Sequence, residues 1–186
     1  LDIQHLSIPE VFVFTPRKFK DPRGFFMETF RQNVFAEATG QDVNFVQDNY
    51  SLSKEKFTVR GLHYQGLPHA QGKLVKCTQG SILDVAVDIR VGSPTFGRSV
   101  QAELSADNAK QLWIPAGFLH GFVTLEVNSV VQYKCTNYYV HVLDGCVMWN
   151  DPVLDIDWGF DPARAILSDK DRSAPSFTEF SSPFKY

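Results

Sequence analysis

Cysteine is scarce in this chain of 186 residues: Cys77, Cys135 and Cys146 are the only three, and no two stand in a C-x-x-C spacing. An odd set without that spacing excludes a disulfide framework and reads as free thiols in a reducing compartment. Long apolar runs are missing too, since none approaches the ~20 residues a membrane span needs. The opening stretch, LDIQHLSIPEVFVF, lacks the basic start and apolar core of a secretory leader, and Leu1 is read as following a trimmed or altered Met. The expected location is therefore the cytoplasm, with no membrane contact. Nor is there a surplus of positive charge. A net charge of -3 argues against a general nucleic-acid binder, although a few local Arg and Lys residues can still hold one small anion. No G-x-G-x-x-G turn, repeat, low-complexity tract or linker is found, and the length suits one domain, residues 1–186.

What the chain does have is 44% hydrophobic and 21% charged residues, the balance of a soluble globular protein. Its 16 phenylalanines suit a wide core or an apolar cleft. Short runs rich in Val, Ile, Phe and Tyr recur between Gly, Pro, Asn and Asp, from VFVFTP through GKLVKCTQG and SILDVAVDIR to CVMWNDP. Roughly ten such strands predict an all-β sandwich or barrel. One helix is expected over 31–39, stopped by Gly40, and a second short one in the tail. Alternation assigns faces. Leu83, Val85, Val87 and Ile89 share one side of their strand, with Asp84, Asp88 and Arg90 on the other. Lys73 falls with Val75 and Cys77, Tyr133 with Val131 and Cys135, and His63 with Val59 and Gly61, so all three point to interior faces. Arg60 then faces away from His63 unless Gly61 kinks the strand. Phe25 and Phe26 read as core or pocket wall, Trp113 and Trp149 as structural, and His5, His69 and His141 as without a role.

The stretch RGLHYQGLPHAQGKLVKC (60–77) places many ionisable groups on two neighbouring strands. Together with IPAGFLHGFV it resembles the two motifs of cupins, small double-sheet jelly rolls, and Pro115, Gly117 and His120 fit the second. The first motif normally carries H-x-H and an acid that complete a metal site. Here position 65 is Gln and the next charge is Lys73, a cation that repels a divalent metal, so no metal is expected. An ammonium on an apolar face instead suits a developing negative charge such as an enolate. His63 can serve as base if an acid holds its other nitrogen, and Tyr133 can return a proton from the opposite side.

The resemblance then extends over about residues 8–175. DPRGFFMETF, FVQDNYS, VRGLHYQ, AQGKLVKC, DVAVDIRVGSPTFG, QLWIPAGFLHGFVTL, QYKCTNYY, MWNDP and ILSDKD, in that order, are similar to the dTDP-4-dehydrorhamnose 3,5-epimerase family. Membership implies a cupin-like double-stranded β-helix jelly roll and a homodimer whose subunits lend each other strands. It also implies cofactor-independent epimerisation of a dTDP-sugar at C3 and C5. By motif, His63 corresponds to the general base, Asp171 to the carboxylate that orients it, Tyr133 to the acid and Lys73 to the enolate stabiliser. Arg23, Glu28, Gln47, Asn49, Arg60, His120 and Lys170 match positions that hold the sugar, diphosphate or thymine nucleoside. Asp144 stands where the family usually has Glu and is a further candidate contact. SVVQY, Tyr50 and GLPH also depart from the commoner pattern around the pocket. Two rival readings keep the fold: an epimerase acting at one centre or a ketoisomerase of another deoxysugar pathway, and a non-catalytic sugar-binding cupin.

Overall fold

Apolar alternation and β-branched residues fold most of the chain into strands, which the computed structural model describes over residues 1–186. In chain order they are β1 (Asp2–His5), β2 (Phe12–Thr15), β3 (Phe19–Asp21), β4 (Gly24–Phe26) and β5 (Gln47–Ser53). Next come β6 (Val59–Gln65), β7 (Lys73–Gln79), β8 (Ser81–Asp88) and β9 (Ser99–Ser105). The last four are β10 (Gln111–Ile114), β11 (Phe118–Thr124), β12 (Ser129–Cys135) and β13 (Asp144–Cys146). One sheet runs β1-β2-β10-β7-β12-β5, a second runs β13-β6-β11-β8-β9, and β3 and β4 form a separate hairpin. The pairings are antiparallel, and sequence-distant strands lie side by side, as the cupin-like jelly roll requires. The expected run CVMWNDP is strand only as far as Cys146. No helix is long and apolar enough to cross a membrane.

Three apolar layers follow from strand alternation. Between the sheets, Val13, Val75, Leu112 and Val131 meet Ile82, Ala86, Phe118 and Phe122. The outer face of the second sheet, carrying Val85, Val87, Ile89 and Leu119, is covered by the C-terminal stretch through Val147, Trp149, Trp158 and Phe184. The outer face of the first sheet presents Phe12, Phe14, Leu74 and Trp113 to Phe35. Phe35 belongs to α1 (Gln32–Thr39), and Gly40 ends that helix at φ 66, donating its N–H to Ala36 O. Trp113 and Phe35 meet edge to face at 4.9 Å. Trp113 and Trp149 are thus core residues. Phe25 and Phe26 are not: at 53% and 70% exposed they stand on the projecting β3–β4 hairpin, with no sheet behind them in this chain.

One charge buried in these layers is fully matched. Asp88, fully buried, accepts from Arg90 Nη2 at 2.7 Å, Ser93 Oγ at 2.6 Å and Thr95 Oγ1 at 2.7 Å. Burial pushes its carboxyl up, but the hydrogen bonds from Arg90, Ser93 and Thr95 outweigh that and bring it to about 2.

Candidate active site

The alternation expected for β6 fails at one place, and the failure builds the site. Between β6 and β11, His63 pairs with His120 and Arg60 with Phe122, so β6 has one residue more than its partner. The extra residue is accommodated at Gly61, whose φ of 125° lies outside the range natural to a side-chain-bearing residue. A Cβ there would sit 2.6 Å from Gly121 Cα and 2.7 Å from His120 O. The bulge resets the parity of the strand. Val59 and Leu62 turn to the outer layer, while Arg60 and His63 both face the space between the sheets. The pairing of His63 with the Val59 face is thereby overturned, and Arg60 joins His63 instead of facing away from it. Arg60 reaches across to β5, donating from Nε to Ser53 Oγ at 3.1 Å and from Nη2 to Leu52 O at 3.3 Å.

From the other sheet come Lys73 and Tyr133, which strict alternation on β7 and β12 turns inward beside Val75 and Val131. His63, Arg60, His120, Lys73, Tyr133 and Asp171 line one cavity of about 420 Å³. The base candidate and the acid candidate therefore stand on opposite walls of a shared space. His63 Nε2 donates to Asp171 Oδ1 at 2.5 Å, which leaves the lone pair on the other ring nitrogen. Asp171 is 4% exposed and lies on α2 (Asp169–Arg172), a single turn capped by Ser168. Burial pushes the Asp171 carboxyl up, but hydrogen bonds from His63 and Ser168 hold it below the usual carboxylate value. Burial also draws Lys73 down from the ordinary lysine value and pushes the Tyr133 phenol up. A second buried pair, His120 Nε2 to Asp84 Oδ1 at 2.6 Å, lies behind the same wall. No group of three His, Cys, Asp or Glu side chains converges as a metal site.

The other expected residues fall into separate places. Gln47 and Asn49 share the inward row of β5, with Gln47 Nε2 donating to Asn49 Oδ1 at 3.0 Å, and Asn49 reaches a neighbouring hollow beside Tyr133. Tyr50 lines that same hollow from a position 65% exposed. Arg23 is on the projecting hairpin, paired with Asp21 at 2.6 Å, and Glu28 pairs with Arg31 at 2.6 Å by a third hollow. Neither lines the cavity of His63. Asp144 and Lys170 are bound to each other at 2.6 Å, outside the lining of the cavity. Two residues escaped the sequence reading. Asp84 was a charge in an apolar strand, a signal that pointed to burial but named no partner. Ser168 begins the S-x-x-D pattern of a helix start, and its Oγ donates to Asp171 Oδ2 at 2.9 Å.

An imidazole held by a carboxylate on one wall, with a neutral phenol and an ammonium on the other, can take a proton from one face of a carbon acid and return one to the other. The family model described as dTDP-4-dehydrorhamnose 3,5-epimerase matches residues 5–179. The chain belongs to that family. A dTDP-4-dehydrorhamnose 3,5-epimerase from Sinorhizobium fredii is 52% identical over 183 residues, covering 98% of this chain and 93% of that one. One from Pseudomonas aeruginosa is 51% identical over 174 residues, with 94% of each chain covered. Among solved structures, the dTDP-6-deoxy-D-glucose-3,5-epimerase of Legionella pneumophila in complex with dTDP-4-keto-L-rhamnose superposes with a TM-score of 0.94 at 42% identity. The match covers 100% of this chain and 98% of that one.

Proposed function

We propose that this epimerase converts dTDP-4-dehydro-6-deoxy-D-glucose to dTDP-4-dehydro-L-rhamnose by inverting C3 and C5 in turn. The observation that carries the reading is the single cavity with His63 on one sheet and Tyr133 and Lys73 on the other. His63 takes the proton from C3; the electrons of that C–H bond form the C3–C4 double bond and leave the negative charge on O4, beside the Lys73 ammonium. The imidazolium is stabilised by Asp171, which stays ionised. Tyr133 then delivers its proton to the opposite face of C3, the carbonyl re-forms, and the phenolate and imidazolium exchange protons with water before the cycle repeats at C5. No electrons leave the sugar, so the balance needs no redox cofactor. Arg60 and His120 hold the sugar and diphosphate from the cavity wall, with Gln47 and Asn49 extending the site toward the nucleoside.

The reading includes a homodimer in the cytoplasm. Its support is the projecting hairpin, where Arg23 lies between Phe19, Phe25 and Phe26, each more than half exposed, a surface suited to insertion into a second copy. Arg23 and Glu28 would then serve a substrate from across the interface. Supplying the 4-dehydro sugar nucleotide in heavy water and following it by NMR tests the reaction. Deuterium should enter at C3 and C5 with inversion of both, and His63→Ala and Asp171→Asn should each slow the exchange by about 10²-fold or more. Exchange at the wild-type rate in both variants would refute the assignment. Inversion at one carbon alone would restrict the product.

A further inference from the structure

Asp171 reaches His63 at the end of a segment, 147–168, that has no strand and, of helix, only the turn over Pro162–Arg164. Regular structure therefore does not fix where the carboxylate arrives. What ties this segment to β6 is Phe57, just before that strand begins. The Phe57 N–H donates to Thr124 O on β11 at 2.8 Å, and its carbonyl accepts from the Ile166 N–H at 2.9 Å. The Val59 N–H then donates to Ile166 O at 3.0 Å, so the tail runs parallel to the start of β6 for one bridge. Leu167 and Ser168, the cap of α2, follow at once. With both bonds made, Phe57 has φ 64°, a left-handed conformation that glycine or asparagine adopts with less strain than an aromatic residue.

An aromatic side chain kept in that conformation calls for a use of its ring. The ring stacks on Phe160 at 4.8 Å and 7°, and Phe160 stacks in turn on the buried Trp149 at 5.8 Å and 12°. The Arg164 guanidinium lies over the Phe57 ring at 4.2 Å. Phe160 precedes the turn and Arg164 ends it, so one ring holds the tail on both sides of its bend. None of these four residues lines the cavity. We propose that Phe57 is a positioning residue for the reaction, a clamp whose ring pins the turn, whose carbonyl pins Ile166, and which thereby sets Asp171 under His63. Trp149 and Thr124 belong to the second sheet and its outer cover, and that sheet also carries His63. The base and its carboxylate thus share one frame, separate from the sheet of Tyr133 and Lys73.

This inference rests on the epimerase reading, and the experiment separates the two. Phe57→Asn keeps a residue that tolerates the backbone conformation and removes only the ring. Hydrogen exchange of the substrate-free protein should then find the amides of Val59 and Ile166 about tenfold less protected, with β8 and β9 unchanged. In turnover kcat should fall about tenfold with KM changed less than about threefold, and Phe57→Tyr should restore wild-type values. Arg164→Gln tests the same clamp from an exposed position where folding is not at risk. It should lower kcat about threefold, and combined with Phe57→Asn it should add little, since both act through one contact. Unchanged protection at Val59 and Ile166, protection lost evenly over both sheets, a loss carried by KM, or additive effects in the double variant would overturn the clamp. A wild type that exchanges no deuterium at C3 and C5 would instead refute the epimerase reading and leave the amide measurement standing.

Discussion

In the proposed mechanism, Tyr133 separates the taking of a proton from its return. Burial pushes its phenol above the ordinary value, so it remains a donor through the neutral range, and with a Phe in its place the cavity keeps its shape and its base. Tyr133→Phe should therefore still exchange deuterium at C3, with His63 giving the label back to the face it came from, while inversion falls by about 10²-fold. Product NMR beside mass-detected exchange makes the comparison, and a parallel loss of both would contradict the division of labour. Lys73 and Tyr133 were legible one residue at a time because each stood on a strand face otherwise small or apolar, whereas His63 was assigned to the Val59 face and reaches the cavity only through the bulge at Gly61. Asp171 was legible only through the family resemblance. It lies 108 residues from the histidine it holds, and no local pattern joins a tail aspartate to a central strand. Asp84 was hidden for the same reason, since its partner His120 comes from another strand.

At the level of elements, β8 and the site-bearing stretches 73–77 of β7 and 131–135 of β12 obey alternation and could be read from sequence, whereas β6 could not. Its bulge is decided by how many residues β11 offers opposite, and that is a property of the pair. Gly61→Ala tests how much the site owes to this irregularity. The new Cβ would meet Gly121 Cα and His120 O under 3 Å in a conformation that alanine rarely adopts, both on backbone that cannot yield. A loss of about 2 kcal/mol or more in denaturant unfolding is expected, with activity falling further still because His63 and Arg60 lose their common direction. Wild-type stability and activity would show that the bulge is incidental. The hairpin was misread in the opposite sense. Its phenylalanines look like core to any hydrophobicity argument, yet they stand exposed on a hairpin with no sheet behind it in this chain.

For the molecule as a whole, two stacked sheets with apolar cover on both outer faces bury Asp88 where it must be ionised. Its folded value of about 2 lies below the roughly 3.9 of an unfolded aspartate. A depressed carboxyl contributes stability that is complete above the unfolded value and is lost as pH falls through the folded one, here between about pH 4 and pH 2, and worth about 2–3 kcal/mol. Thermal midpoints measured across that window should drop more steeply for wild type than for Asp88→Asn, which is weaker throughout but carries no titrating group at the site. Equal slopes would place the acid sensitivity elsewhere. The fold class was readable because turn residues and strand lengths repeat along the chain. The cover given to the second sheet by Trp149, Trp158 and Phe184 was less so, since those segments have no regular structure to announce them.

In the proposed mechanism the carboxylate that orients the base arrives on the last helix, so the order of synthesis separates building the two sheets from arming the site. Every strand that shapes the cavity leaves the ribosome before α2 does. A nascent chain can thus bring a histidine, a lysine and a tyrosine to facing sheets while the imidazole is still unsecured, and in the proposed mechanism proton chemistry waits until the tail closes over the finished sheets.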